Sequence, residues 1–512
     1  MGFFDSIQKP GFKAAQTKNS HIQQEVVKTT IDPRKTQSPT PFAQRLLHRA
    51  PPKKKSPKQS NTKATPSPRP LPQHARKRAA STPQRLESDS DGDVSDENLN
   101  IGSKRVRRSS DPEPDLDRQI RSREAFSGED GGHFHMIHAA DIASLSMSGK
   151  YSPAFPNDSN AIEVQLQYPS ASQGERYVSS KQGDTMRADH SRYELVIPSN
   201  KDDFRPLEDI RVAMETIIDN YLPSADAAAM QNDSTGLIRR IKRAMERRAG
   251  HEYIDFVQEW NETLVGFQKD GTLSKAIDNW NGIELKLLER ILTQTYSRTV
   301  SPRVEELKKY QNGTDDVYGE LMPRFISMIL KKDTKMKSDQ IFVDLGSGVG
   351  NCVLQAALEI GCESWGCEKM EGACGLAQLQ EQEFNARCRL WGLSVGDIHL
   401  ERGDFLSNPA ILEVIQKADV VLVNNQAFTP KLNEDLTNLF LDLKEGSKVV
   451  SLRSFVPHGN KISQSNVHAA YNRLSVVEKE YFSGCVSWTN APGTYYVSTK
   501  DSSMVKAFYE KH

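Results

Sequence analysis

Apolar and polar positions along the chain fall into three regimes. From residue 1 to about 155 large apolar residues are sparse and aperiodic. PPKKKSPKQSNTKATPSPRPLPQHARKRAASTPQR (51–85) is rich in Pro, Ser and Lys; such a segment cannot bury enough surface to offset chain entropy and is expected to be disordered. Order is expected from near residue 160, where AIEVQLQY and RYELVIP alternate as short strands do. From about 205 the period becomes helical. PLEDIRVAMETIIDNYL places Ile210, Met214, Ile217 and Ile218 on one face, and TGLIRRIKRAMERR, HEYIDFVQEWNETLVGFQ and NGIELKLLERILTQTY continue the style to about 300.

After 320 strands and helices alternate. ELMPRFISMILKKD reads as a helix, IFVDLG as a strand and NCVLQAALEIG as a helix stopped by Gly361. SWGCE is a strand, EGACGLAQLQEQEFNARCRLWG a long helix and DIHLERGDF a strand. NPAILEVIQK begins with a proline suited to a first helical turn. ADVVLVNN is a buried strand, NEDLTNLFLDLK a helix and GSKVVSL a strand. SVVEKEYFSGCVSWTN and GTYYVSTKD alternate like an antiparallel pair. This rhythm predicts an open α/β sheet, and ligands of such sheets bind outside the carboxyl ends of the strands.

Charge changes the picture of the first regime. The 512 residues are neutral overall, but the first 86 hold 18 Lys/Arg against three Asp/Glu, a net +15, which leaves −15 on the rest. The basic runs, with SKRVRRSS (103–110) beyond the acidic ESDSDGDVSDE (87–97), read as a nuclear-import signal and as DNA contacts through phosphate neutralisation. The acidic remainder can face a basic partner. All six cysteines fall between Cys352 and Cys485 with no CxxC pair, so free thiols in a reduced compartment are expected and no metal site. No apolar run approaches the ~20 residues that span a bilayer, and MGFFDSIQKPGFK lacks a secretory apolar region. Gly2 and Ser6 fit the loose myristoylation pattern, against which bulky Phe3 and Phe4 stand.

The candidate chemistry sits at four successive strand ends. Asp344, Gly346, Ser347, Gly348, Gly350 and Asn351 follow the first; Glu368, 24 residues past Asp344, ends the second; Asp404 and Phe405 follow the third; Asn424 and Asn425 follow the fourth. A nicotinamide dinucleotide needs glycine at the first, third and sixth positions of the turn, but the sixth is Asn351, and Asp344 would oppose a pyrophosphate. S-adenosylmethionine carries no phosphate. Asp344 can accept from its ammonium, Glu368 from its ribose hydroxyls, and Asp404 from its adenine amine while Phe405 packs on the ring. The Asn424 carbonyl oxygen, with Phe428 four residues on, can hold an acceptor amine beside the methyl. DNA amino-methyltransferases place two prolines after a similar Asn or Asp; none follows Asn424. Asn425 can equally cap its own turn. A methyltransferase acting on another protein lysine or a nucleic-acid amine, and a non-catalytic chromatin-binding module, stay open at this point.

Six ordered motifs, VYGELMP (317–323), FVDLGSGVGN (342–351), GCEKM (366–370), GDFL (403–406), VNNQAF (423–428) and SWTNAPGTYYVSTKD (487–501), resemble the disruptor-of-telomeric-silencing histone lysine methyltransferases, and most nearly the fungal members with a basic N-terminal extension. The resemblance spans roughly 285–501. It implies an α/β fold with a Rossmann-like class I methyltransferase sheet over 301–512, an N-terminal, mainly helical part of the catalytic module over 156–300, and the disordered basic tail over 1–155. It implies no SET domain and methyl transfer from S-adenosylmethionine to a lysine on the globular surface of histone H3 in nucleosomes. A monomer in the nucleus, with roles in silencing and DNA-damage checkpoint control, is implied too. Tyr318, Gly319, Glu320 and Leu321 would close over the methionine part of the cofactor. Phe342, Val343, Asp344, Leu345, Gly346, Ser347, Gly348, Val349, Gly350, Asn351, Glu368, Asp404 and Phe405 would line its pocket. Asn424, Phe428 and Tyr496 would form the lysine channel, supported by Trp488 and Tyr495. Gln426 stands where members usually carry an aromatic.

Overall fold

Residues 115–126, 133–147, 149–170, 176–179, 191–309 and 318–511 are described by the computed structural model. The basic tail to residue 114, with its acidic run and the Gly2 pattern, lies outside the described residues.

Four amphipathic helices precede the sheet: α1 (Pro206–Tyr221), α2 (Leu237–Arg247), α3 (Gly250–Lys269) and α4 (Leu285–Thr299). The periodic face of α1 is wholly buried at Ile210, Met214, Ile217 and Ile218. It packs with Tyr253 and Trp260 of α3 and with Leu287 and Ile291 of α4. Two shorter helices, Ser224–Gln231 and Thr272–Asp278, join these and were not expected. At the heart of the region Asp209 lies between two guanidinium groups, 2.8 Å from Arg290 and 2.7 Å from Arg298, and accepts from the Tyr193 hydroxyl at 2.7 Å. Burial alone would raise its pKa; the two cations outweigh it and hold the carboxyl well below the usual range.

Seven strands form the sheet: β1 (Ile341–Leu345), β2 (Glu363–Glu368), β3 (Ile398–Arg402), β4 (Val420–Val423), β5 (Lys448–Ser451), β6 (Leu474–Tyr481) and β7 (Gly493–Lys500). Their order is β6-β7-β5-β4-β1-β2-β3. The first five run parallel, and β7 enters antiparallel between β5 and β6. β4 is buried at every position, as a strand covered on both faces must be. Helices α5 (Asn351–Glu359), α6 (Glu371–Leu390), α7 (Pro409–Val414) and α8 (Pro430–Leu439) connect the strands. Pro409 opens α7 as the sequence predicts, behind Asn408, whose side-chain oxygen accepts from Ala410 N at 2.9 Å. Strand order reverses at β1, between β4 and β2, and that reversal opens a crevice at the carboxyl ends.

Helical region and sheet share a core: Leu354 and Leu358 of α5, with Phe384, Leu390 and Trp391 at α6, pack into the same cluster as α1, α3 and α4. Polar ties cross it. Tyr221 donates to Trp391 O at 2.7 Å, and the Trp391 indole donates to Gln294 Oε1 at 3.0 Å.

The expected end of the tail at 155 needs correction. Elements begin well before it, with a described strand at His133–Met136, a helical turn at Ala139–Ile142 and a strand at Tyr151–Pro153. The reason is burial: Ile120, Met136, Ala139 and Phe155 belong to the shared core, although their spacing carries no period. Arg118 donates to Leu358 O at 2.9 Å and to Ser394 O at 2.8 Å, at the end of α5. Ser394 N donates back to Ile120 O, and Ser122 N to Gly392 O. Ile137 N meets Glu383 of α6 at 2.6 Å, while Arg387 donates to Ile137 O at 2.8 Å. The described residues 115–126 and 133–142 therefore strap the sheet domain. A chain starting at residue 156 is expected to unfold on the order of 10 °C below one starting at 115, because three large buried side chains are lost; thermal unfolding of the two chains followed by circular dichroism measures it.

Candidate active site

After Leu345 the chain must leave β1, clear the end of β2 and start α5 within five residues. Left-handed backbone does this at Gly346 (φ +89°), Gly348 (φ +56°) and Gly350 (φ +85°). The N–H groups of Gly346 and Ser347 both donate to Cys367 O at 3.0 Å, pinning the turn to β2. Close approach is needed on the other side as well: a Cβ at Gly366 of β2 would lie 2.7 Å from Val353 and 2.8 Å from Ser347.

The turn floors a crevice of about 300 Å³. Its wall contains Tyr318, Gly319, Glu320, Leu321, Asp344, Gly346, Ser347, Gly348, Val349, Asn351, Glu368, Asp404, Phe405, Asn424 and Phe428, all expected. It also contains Cys352, Cys367, Lys369, Met370, Leu422 and Leu432, which sequence reasoning missed. Phe342, Val343, Leu345 and Gly350 do not line it. The three strand residues are fully buried, their side chains spent on the helix layers, so β1 reaches the crevice only at its tip. Tyr496 is not in this wall either. It pairs with Ser451 of β5 and Glu478 of β6. Tyr495 points away, donating to Asp333 at 2.5 Å and meeting Phe325 edge-on. Adjacent residues of β7 alternate faces, so Tyr496 looks to the side opposite Tyr495; of the expected lysine-channel residues, Asn424 and Phe428 line this crevice, and Tyr496 and Tyr495 do not.

Four carboxyl groups, Glu320, Asp344, Glu368 and Asp404, face one lysine, Lys369, in the wall. Asp344 sits opposite Gly366 of β2 and Leu422 of β4. Burial, and then the neighbouring Glu368 charge, push its pKa up to about 7. Glu368 accepts from Gly348 N at 3.0 Å and Met370 N at 2.8 Å. Burial raises its pKa while those N–H groups pull the other way. Asp404 is exposed and accepts from Leu406 N at 2.9 Å. Phe405 and Phe428 lie near-parallel with centroids 6.4 Å apart.

The Tyr318–Leu321 segment is held from several sides. Ser487 brackets Glu320 with two 2.9 Å bonds, Ser487 N to Glu320 O and Glu320 N to Ser487 Oγ. A Cβ at Gly319 would meet the Trp488 ring at 2.7 Å, so Trp488 supports this segment. Asn424 Nδ2 donates to Gly319 O at 3.0 Å. Asn425 instead points inward, fully buried. Its Oδ1 accepts from Leu452 N and Arg453 N, and its Nδ2 donates to Asn433 Oδ1 and Arg453 O. It ties β4 to β5, so of the two asparagines only Asn424 faces the crevice. Two long-range partners, Gln380, which donates to Asn351 Oδ1 at 2.9 Å, and Tyr296, which donates to Glu320 Oε1 at 3.0 Å, left no local signal in the sequence. Among the described residues no cluster of His, Cys, Asp and Glu could hold a metal ion, and no helix is long and apolar enough to cross a membrane.

Comparison with known proteins gives this geometry relatives. The family model described as histone methylation protein DOT1 matches residues 296–500. A protein of Aspergillus fumigatus, named histone-lysine N-methyltransferase, H3 lysine-79 specific, is 46% identical over 99% of this chain and 99% of its own length. Proteins of the same name from Emericella nidulans (46% identical; 100% of this chain, 99% of that one) and Gibberella zeae (43%; 84% of each) are similar too.

A cationic ligand held by Asp344 would need its ionised form, and the pKa of about 7 sets the consequence. Affinity for S-adenosylmethionine is expected to weaken again above the pKa of the ligand's own α-amino group, ~8, and below pH 7 to fall up to about tenfold per unit. Asp344→Asn should bind more weakly at high pH and lose that slope. Calorimetry between pH 6 and 9, roughly one unit below that value and two above, tests both.

Proposed function

This chain belongs to the DOT1 family of histone methylation proteins and is a histone-lysine N-methyltransferase; from that premise we propose that it methylates the lysine of nucleosomal histone H3 for which its relatives are named, lysine 79, using the crevice at the ends of β1, β2 and β4. One observation carries the assignment of the site. The wall that is most acidic, at Asp344, Glu368 and Glu320, is also the wall that Asn424 and Phe428 complete.

The crevice suits a ligand with a positive charge and without phosphate. Asp344 would hold the ammonium of S-adenosylmethionine, Glu368 the ribose hydroxyls, and Asp404 with Phe405 the adenine. The segment from Tyr318 to Leu321 would cover the methionine part. When bound, S-adenosylmethionine supplies an electrophilic methyl group on a sulfonium. The chain's own contribution is positioning, which can supply ~7–11 kcal/mol. Asn424, its amide nitrogen committed to Gly319 O, offers oxygen to the incoming lysine amine and orients the lone pair. Phe428 excludes water on one side. The amine must be neutral to react, whereas a free lysine has a pKa near ~10.4. Apolar walls that desolvate it lower that value, and no general base is required.

Charge supports the wider assembly. The +15 of the first 86 residues suits nucleosomal DNA, and the −15 of the remainder suits a basic histone patch. A nuclear, monomeric enzyme acting in silencing and checkpoint control fits the family.

Two measurements test the reading. With nucleosomes, free histones and naked DNA side by side, methyl transfer is expected on nucleosomal H3, and Asn424→Ala should lower kcat/KM about 100-fold; full activity of that variant would remove Asn424 from the site. Deleting residues 1–110 should weaken nucleosome binding and flatten its salt dependence, and titration at several salt concentrations reads both.

A further inference from the structure

We infer that Tyr296, on the last helix before the sheet, is a positioning residue for the cofactor: it fixes the Glu320 carboxylate at the methionine end of the crevice. The inference rests on reading that crevice as the S-adenosylmethionine site, and it makes the helical region part of cofactor recognition rather than packing alone.

Three donors converge on a single oxygen. Glu320 Oε1 accepts from the Tyr318 hydroxyl at 2.5 Å, the Tyr296 hydroxyl at 3.0 Å and Asn351 Nδ2 at 3.3 Å. None of the three goes to Oε2, which leaves that oxygen for a ligand. Burial pushes the Glu320 carboxyl upward, and the donors oppose it. Each donor has a different origin. Tyr318 lies on the same segment as Glu320 and moves with it. Asn351 is the first residue of α5, just past the glycine turn, and is held by Gln380 of α6, which donates to Asn351 Oδ1 at 2.9 Å and to Val349 O at 2.7 Å. Tyr296 alone reaches in from α4.

That helix is fixed in rotation on either side of Tyr296. Gln294 is fully buried, donating to the Tyr168 hydroxyl at 2.8 Å and accepting from Trp391. Arg298, also buried, is paired with Asp209 at 2.7 Å. Tyr296 therefore meets Glu320 from a rigid support while the Tyr318–Leu321 segment hangs between Ser487, Trp488 and Asn424. A second cavity, of about 240 Å³, lies against the same group: Tyr296, Glu320, Leu321 and Asn351 all contribute to its wall. Without the Tyr296 hydroxyl, Glu320 has open space behind it into which to turn, away from the ligand.

The test compares S-adenosylmethionine with 5′-methylthioadenosine, a neutral thioether that lacks the amino-acid part, and uses S-adenosylhomocysteine, the thioether that keeps that part, to separate its loss from loss of the sulfonium charge. Tyr296→Phe in the full chain is expected to weaken S-adenosylmethionine and S-adenosylhomocysteine about tenfold, the size of a lost hydrogen bond to a charged group, and to leave methylthioadenosine unchanged. KM for the cofactor should rise with kcat on nucleosomes retained at saturation. In a Glu320→Gln background the same substitution should cost much less, since the two act through one interaction. An equal loss for S-adenosylhomocysteine and methylthioadenosine, or no loss for either, or full additivity with Glu320→Gln, would overturn the inference. Failure of the unaltered chain to bind S-adenosylmethionine at all would instead sink the reading of the crevice, and the inference with it.

Discussion

Asp344 and Glu368 end adjacent parallel strands, both buried, beneath a glycine turn that gives them no positive side chain of its own. Carboxylates so placed cannot both ionise cheaply without a cation between them, because the solvent that would screen them has been removed. The rest of the site follows from that constraint. Glu368 is steadied by two backbone N–H groups. The turn stays glycine-rich so that its backbone, and not side chains, meets the ligand. On the proposed reading, the crevice stores an electrostatic cost that a sulfonium-bearing, ammonium-bearing molecule would relieve and a dinucleotide would increase. One arrangement of strands thus separates two cofactor classes that share a fold.

Around this centre the molecule is built as two layers of support with one core. The sheet brings four strand ends to one edge, while α4 and the segments near Ser487 and Trp488 hold the fourth wall in place. The buried Asp209 between Arg290 and Arg298 ties α1 to α4, and Gln294 ties α4 to Trp391 at the end of α6. Rigidity at the crevice thus originates in contacts far from it. Enzymes that act mainly by positioning depend on such contacts, since small displacements of the reacting groups are costly.

Much of this was legible in the sequence. The central strands followed from apolar runs such as IFVDLG and ADVVLVNN and the last two from alternation, and the polar residues just past the parallel strands named most of the crevice wall. What was not legible has three physical causes. Period-2 alternation shows that Tyr495 and Tyr496 face opposite ways but not which of them turns to Asp333 and Phe325, as Tyr495 does. Residues deep in β1, such as Phe342 and Val343, share a motif with the site yet belong to the core. The strap, 115–126 and 133–142, buries isolated side chains held by carbonyls hundreds of residues away, and no local period records that. Asn424 and Asn425 were separable only by seeing which of them β5 engages.

The strap has a consequence for how the chain comes to be folded. Arg118 and Ile120 leave the ribosome early, but their partners at Leu358 and Ser394 are 240 and 276 residues further along from Arg118. Domains fold largely as units while synthesis proceeds, yet this one cannot close from its N-terminal side until most of it exists. The strap must wait, apolar residues uncovered, and docks only after the glycine turn and the long helix behind it have formed. Closing so large a loop adds little extra entropic cost, so the delay is one of timing, and chaperone dependence during synthesis is where it would be felt.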